Sequence, residues 1–284
     1  MVLSPESELS EPLEPGLYIV ATPIGNLGDI TMRAVDILRK CDLIACEDTR
    51  VTGRLLKALG IENRMQRYDD YASNETRAWI LGEANKGAIA LVSDAGTPLI
   101  SDPGHRLVRE ANETGINVVA IPGPCAAIAG LTLSGLPNDR FLFAGFLPVK
   151  DKARRDFLDG LAAIDATLIL YETGPRLTRS LEVLAEIWPD RSVAVAREIT
   201  KLHEECRTGS AVQLLDHYAN HPAKGEIVLM IGPPVAAAMT VDPDELLRDA
   251  LQHQSPSKAA GEVARQTGMD RKALYNRAIE IKGQ

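Results

Sequence analysis

Three loops rich in glycine and proline hold the residues best suited to chemistry. They are Pro23-Ile24-Gly25-Asn26-Leu27-Gly28-Asp29, the stretch from Ser93 through Gly104, and Pro122-Gly123-Pro124-Cys125-Ala126-Ala127. Glycine lets backbone amides and carbonyls approach a ligand, and proline stiffens the turn. Asp94 and Asp102 put carboxylates in the middle loop. Those suit hydroxyls, an amino group or a sulfonium, and they repel phosphate. Asp102 equally fits the N-cap of a following helix. No G-x-G-x-x-G follows the first strand and no G-x-x-x-x-G-K-[ST] occurs, which disfavours a P-loop or a common dinucleotide fold. Four cysteines form no C-x-x-C pair and five histidines show no ligand spacing, so no metal is expected and the thiols read as reduced and mostly buried.

The elements that position these loops follow from the apolar pattern. Strands are expected at Leu17–Thr22, Leu43–Cys46, Ala88–Ser93 and Asn117–Ile121, with helices between them opened by Thr31, Asp48 and Ser73. Runs apolar on both faces, separated by helices, predict a buried parallel sheet. In such a sheet, ligands bind beyond the carboxyl ends of the strands, where the three loops lie. The pattern restarts with strands at Phe141–Leu147, Thr167–Tyr171, Val193–Ala196, a solvent-facing His203–Thr208, and Glu226–Ile231. The fold class is therefore α/β, with α/β domains at 16–124 and 125–234 and a boundary in the small-residue cluster at 124–138. No internal repeat is visible.

Residues 242–284 read as a helical tail, in which Ala264, Gly268, Met269 and Leu274 match the small-residue, turn and core spacing of a helix-turn-helix. From residue 258 onward it carries six basic against three acidic side chains. This reads either as a solvated helical cap or as a nucleic-acid contact. The whole chain, with a formal net charge of −8, is unsuited to coating nucleic acid nonspecifically. The first fifteen residues, with Glu6, Glu8, Glu11 and Glu14 among prolines, read as a disordered acidic tail and not as a signal peptide. With no apolar run long enough for a bilayer, a cytoplasmic protein is expected.

Longer motifs resemble a known family. Ala21 through Thr31, Cys46-Glu47-Asp48-Thr49-Arg50, Ser93 through Gly104, Pro122-Gly123-Pro124, Ala196 through Lys201 with His203-Glu204-Glu205, and Lys224-Gly225-Glu226 are similar to those of the bacterial small-subunit rRNA cytidine 2′-O-ribose methyltransferases. These form the RNA-modifying branch of the tetrapyrrole (porphyrin/corrin) methylase superfamily. The resemblance covers roughly residues 16–284. It implies two α/β domains with S-adenosylmethionine in the cleft between them, a homodimer, and methylation of 16S rRNA in the small ribosomal subunit. One departure is Tyr171-Glu172-Thr173-Gly174-Pro175-Arg176, with Pro175 where the family has histidine; proline suits the first turn of a helix.

On that resemblance, the donor is expected to contact Pro23, Asp94, Gly96, Ile100, Ser101, Cys125 and Ala126 from the first domain and cleft, and Tyr171, Lys224 and Gly225 from the second. Arg50, Arg197 and Lys201 become candidates for RNA phosphates, and Glu47 or Glu198 for the base. The bland alternative is that Glu47–Arg50 and Arg197–Glu198 are ion pairs organising the fold. A small-molecule tetrapyrrole methylase shares the fold, and a nucleic-acid-binding regulator is a third class. The basic tail disfavours the first and the two ligand-cleft domains the second.

Overall fold

A computed structural model describes residues 12–234, 242–267 and 269–282. The first fifteen residues, expected as an acidic tail, fall mostly outside the described part. The chain divides into two compact units, meeting at Pro233 and Pro234.

The first unit opens with β1 (Gly16–Val20), α1 (Met32–Lys40), β2 (Leu43–Cys46), α2 (Thr49–Ala58), β3 (Met65–Arg67), α3 (Asn74–Ala84), β4 (Ala88–Val92), α4 (His105–Glu113) and β5 (Val118–Ile121). The strands form one sheet in the order β3-β2-β4-β1-β5, parallel throughout. β2 and β4 are buried along their whole length, as strands covered on both faces must be. Capping sets the helix starts. Thr31 accepts the Ala34 amide at 3.0 Å, Asp48 the Arg50 amide at 2.8 Å, and Ser73 the Thr76 amide at 3.2 Å, each removing an orphan donor. The short edge strand β3 was not foreseen. It is three residues long and mostly exposed, so no apolar alternation marks it.

The segment 124–138 is more than a boundary. It contains α5 (Ala126–Ser134), closed by Gly135 at φ 67°. The helix is built of small and apolar residues all round and lacks the one-sided period that identifies a surface helix. Its small residues have a packing reason. A Cβ on Gly130 would lie 2.8 Å from Val228, so glycine lets the helix rest directly on the second sheet, with Ala127 and Leu131 in that core.

Next come β6 (Phe141–Phe146), α6 (Asp151–Leu161), β7 (Thr167–Thr173), α7 (Gly174–Ile187), β8 (Ser192–Arg197), β9 (Glu205–Ser210), α8 (Ala211–Asn220) and β10 (Glu226–Ile231). Their order is β6-β7-β10-β8-β9. This sheet is mixed, unlike the parallel one expected by extension of the first. β6 and β7 are parallel, while β10 runs antiparallel to both β7 and β8, and β8 to β9. Apolar runs reveal burial and not direction, so the inserted last strand was invisible in the pattern. Pro175 lies in the first turn of α7, the place where its missing N–H is harmless.

The second unit contains α9 (Pro243–Leu251), α10 (Pro256–Thr267) and α11 (Arg271–Lys282) around Leu247, Ala259, Ala260, Val263, Leu274 and Ala278. Leu274 is in the core as expected and Ala264 packs against it. Met269 instead is 46% exposed, and Gly268 lies outside the described residues. Among the described residues no helix is long and apolar enough to cross a membrane.

Candidate active site

The loops after β1, β2, β4 and β5 are tied to one another. Thr22 and Gly96 exchange backbone hydrogen bonds of 2.8 and 3.1 Å. Thr97 Oγ1 donates to the Pro124 carbonyl at 2.9 Å, and Asp94 Oδ1 accepts the Asp48 amide at 3.1 Å. From the second sheet, the β8–β9 loop reaches the first. Asn26 Nδ2 donates to the Thr200 carbonyl at 3.3 Å.

Between these loops lies a cavity of about 460 Å³, a size suited to a small organic ligand. Its walls include Asp94, Gly96, Ile100, Ser101, Cys125, Ala126, Tyr171 and Gly225, together with Glu47, Glu198 and Lys201. Pro23 and Lys224 adjoin wall residues in sequence but do not line it. Arg50 lines an adjoining depression with Arg67, Glu47 and Asp94. Arg197 lines neither: its Nε donates to Glu205 at 2.6 Å. Neither of the ion pairs considered from the sequence forms. Arg50 pairs with Asp48 at 2.5 Å, and Glu198 accepts Lys201 Nζ at 3.0 Å. The nearer or better-aligned carboxylate wins each cation.

Among the described residues, four non-glycine residues have positive φ: Leu99 (74°), Ser101 (65°), Glu198 (51°) and Thr200 (68°). All lie in the two loops facing the cavity. Such backbone is costly and persists where surrounding contacts over-determine it, a condition typical of functional sites. Gly225, at φ 75°, also needs its missing side chain, since a Cβ would stand 2.9 Å from Glu198 Oε1.

Asp102 belongs to the wall and not to a helix cap. The N-cap of α4 is Gly104, at φ 129°, with no side-chain hydrogen bond. Burial raises the Asp102 carboxyl to about 6, reinforced by the Asp94 charge and opposed by a Ser93 hydrogen bond. Burial also raises Glu47, with Asp94 and Asp102 adding repulsion, and raises Asp94, where the Asp48 amide partly compensates. The interior is thus rich in carboxylate with Lys201 as its cation, an environment that favours a cationic ligand.

The second half contributes Tyr171, one of the residues expected from the sequence, and Phe146, Glu172 and Val228, which sequence reasoning passed over. Tyr171 sits edge-on to Phe143 and Phe146, at centroid distances of 4.9 and 5.5 Å. Burial raises its hydroxyl to about 12, so it remains protonated. Glu172 is fully buried and reaches the cavity wall. It accepts Ser180 Oγ at 2.7 Å and the Thr173 amide at 2.9 Å, beside Arg176 Nε at 3.0 Å. Phe146, Glu172 and Val228 lie on strands whose pairing order alone brings them to the site. Asp102 carried a signal, its place in the Gly/Pro loop, which capping chemistry masked. Among the described residues no cluster suits a metal ion.

Comparison with known proteins places these features. Residues 16–215 match the family model described as Tetrapyrrole (Corrin/Porphyrin) Methylases, and residues 237–282 match the RsmI C-terminal HTH domain. The chain is 63% identical to the Ribosomal RNA small subunit methyltransferase I of Erythrobacter litoralis over 274 residues, 96% of this chain and 98% of that one. It is 46% identical to the protein of the same name from Escherichia coli O157:H7, over 94% of this chain and 96% of that one. Two solved structures share the fold. Uroporphyrin-III-C-methyltransferase from Thermus thermophilus has a TM-score of 0.54 at 19% identity, over 77% of this chain and 94% of that one. Diphthine synthase has a TM-score of 0.60 at 16% identity, over 76% and 89%.

Proposed function

The chain belongs to the tetrapyrrole (corrin/porphyrin) methylase family, and on that premise we propose that it methylates the 2′-oxygen of a cytidine ribose in 16S rRNA, using S-adenosylmethionine. The observation that carries this reading is the 63% identity to a ribosomal RNA small subunit methyltransferase I over nearly both full lengths. The helical tail has its own family match. The proposed setting is the cytoplasm, with the small ribosomal subunit as substrate and the protein acting as a homodimer.

The residues present fit the donor. Asp94 and Asp102 supply negative charge for its sulfonium and amino groups, and Gly96, Cys125, Ala126 and Gly225 leave backbone and space at the wall. Ile100, Ser101 and Tyr171 complete the pocket, and Pro23 and Lys224 hold the wall residues next to them in sequence. When bound, the donor supplies an activated methyl group, so the protein must chiefly align the acceptor oxygen for in-line transfer.

A ribose hydroxyl is a poor nucleophile, and a positioned base helps by about 10²–10⁴. We assign that base to Glu47. Its carboxylate has no hydrogen-bonding partner among the described residues, and burial raises its proton affinity. Glu198 is held by Lys201 and acts as a positioning residue. Arg50 at the mouth and Lys201 within the cleft are the proposed phosphate contacts. Arg197, committed to Glu205, supports the loop from behind.

Tritiated S-adenosylmethionine offered with unmethylated small subunits, free 16S rRNA and a porphyrinogen tests the assignment. Label is expected in the subunit, at a ribose that then resists alkaline cleavage. Label confined to the porphyrinogen overturns it.

A further inference from the structure

The surface beside the cleft mouth carries further cations next to Arg50. Helix α2 presents Arg50, Arg54 and Lys57, spaced i, i+4 and i+7 and so aligned on one helical face. Arg54 and Lys57 are exposed, while Thr52 and Leu56 on the opposite side are buried. The helix contains no acidic residue. Beside it, the edge strand β3 and its approach add Arg64 and Arg67, both exposed.

Some exposed cations on the other helices are neutralised. Lys152 pairs with Asp156, and Arg179 with Asp151 and Glu182. Arg54, Lys57 and Arg64 make no salt bridge to any described residue. This is notable in a chain of net charge −8, because unpaired like charges repel each other unless a polyanion joins them.

The seam between α2 and β3 is also shaped as a track. Arg50 and Arg67 share the depression at the cleft mouth with Glu47 and Asp94. A second depression continues along the helix, lined by Gly53, Lys57, Asn63 and Met65, with Glu62 as its one acidic residue. Gly53 keeps its floor low: a Cβ there would meet only Met65 Cε, at 3.6 Å. Along the helix axis the three cations are separated by about 6 and about 4.5 Å, a spacing that a strand with one charge per nucleotide can match. Arg54 also lies close enough to the cleft for its charge to act on the Asp94 carboxyl.

We propose that this seam guides the substrate RNA into the cleft, with Arg54, Lys57 and Arg64 gripping phosphates beyond the mouth formed by Arg50 and Arg67. The proposal rests on the RNA reading above and extends it to the strand flanking the modified nucleotide. Away from Lys201 the interior carboxylates repel phosphate, whereas this stripe attracts it, so the field favours the flanking backbone outside and one ribose inward.

The test is the full-length Arg54→Gln/Lys57→Gln double variant, compared with the wild type for binding to unmethylated small subunits across a salt series. Affinity for S-adenosylmethionine and thermal stability are measured alongside. Loss of two contacts is expected to weaken subunit binding by about tenfold or more at low salt. It should also flatten log K against log salt by about 1.4, at about 0.7 per single-strand phosphate. Donor affinity and melting temperature should hold, and Arg54→Lys should retain the wild-type slope. Unchanged affinity and slope in the double variant overturn the track. Failure of the wild type to methylate the subunit instead overturns the functional reading, and the two results are independent.

Discussion

The aliphatic stem of Lys201 lies directly over Gly25: a Cβ on that glycine would stand 2.7 Å from Cε and 2.8 Å from Cγ of the lysine. The two residues belong to loops of different sheets, and their contact closes one side of the cleft. Lys201 Nζ continues to Glu198 at 3.0 Å, while neighbouring Asn26 binds the Thr200 carbonyl. Glycine is required twice here, for the close approach and for a φ of 157°.

Gly25→Val is therefore expected to displace Lys201 and to destabilise the protein by about 1–3 kcal/mol, the cost of a disfavoured backbone. In thermal denaturation that is a fall of several degrees, and methyl transfer should fall with it. Adding Lys201→Ala removes the clash and leaves the φ strain, so the double variant should recover part of the stability. Absence of any recovery would show that Lys201 does not enforce the glycine.

Glu47→Gln keeps the shape of the side chain and removes its basicity. Methyl transfer to the small subunit should drop by about 10²–10⁴, with donor affinity little changed. Glu198→Gln should act more weakly and raise KM more than it lowers kcat, because it releases Lys201. The reverse ranking in single-turnover assays would move the base to Glu198.

The Asp102 carboxyl, raised from 3.8 to about 6, gives a pH signature. Between these values the unfolded chain is ionised there while the folded protein keeps its proton. Stability from that proton is present in acid and is lost as pH rises through about 6. Asp102→Asn should accordingly be more stable than the wild type at pH 8, by on the order of 2 kcal/mol, and no more stable at pH 3. Binding of a cationic donor should strengthen through the same pH range in the wild type and stay flat in the variant. Equal urea midpoints for both proteins across the range would refute this.

Arg197 and Glu205 form a half-buried pair. Burial opposes the Glu205 charge, but hydrogen bonds from Arg207 and Arg197 overcome it and hold the carboxyl below its ordinary 4.5. The pair contributes stability above that value, lost as pH falls through the lowered one. Arg197→Ala should cost roughly 1.5–3 kcal/mol at neutral pH, as for a hydrogen bond to a charged group. It should leave the salt slope of subunit binding unchanged. A slope reduced by a full contact would place Arg197 on the RNA.

Local chemistry wrote much of this protein into its sequence. Caps at Thr31, Asp48 and Ser73, the fully apolar β2 and β4, and proline at the first turn of α7 each depend on neighbours within a few residues. The Gly/Pro loops were legible for the same reason, because a turn that admits a ligand needs particular residues at particular positions. What tertiary structure alone decided was pairing between distant groups. The order that inserts β10 against β7 and β8, the small-residue helix α5 resting on Val228, and the release of Asp102 from a cap into the cavity wall all depend on what approaches from elsewhere in the chain. The cations are a different case: Arg50 and Lys201 found their partners two and three residues away, in Asp48 and Glu198, and only Arg197 needed the pairing of two strands to meet Glu205.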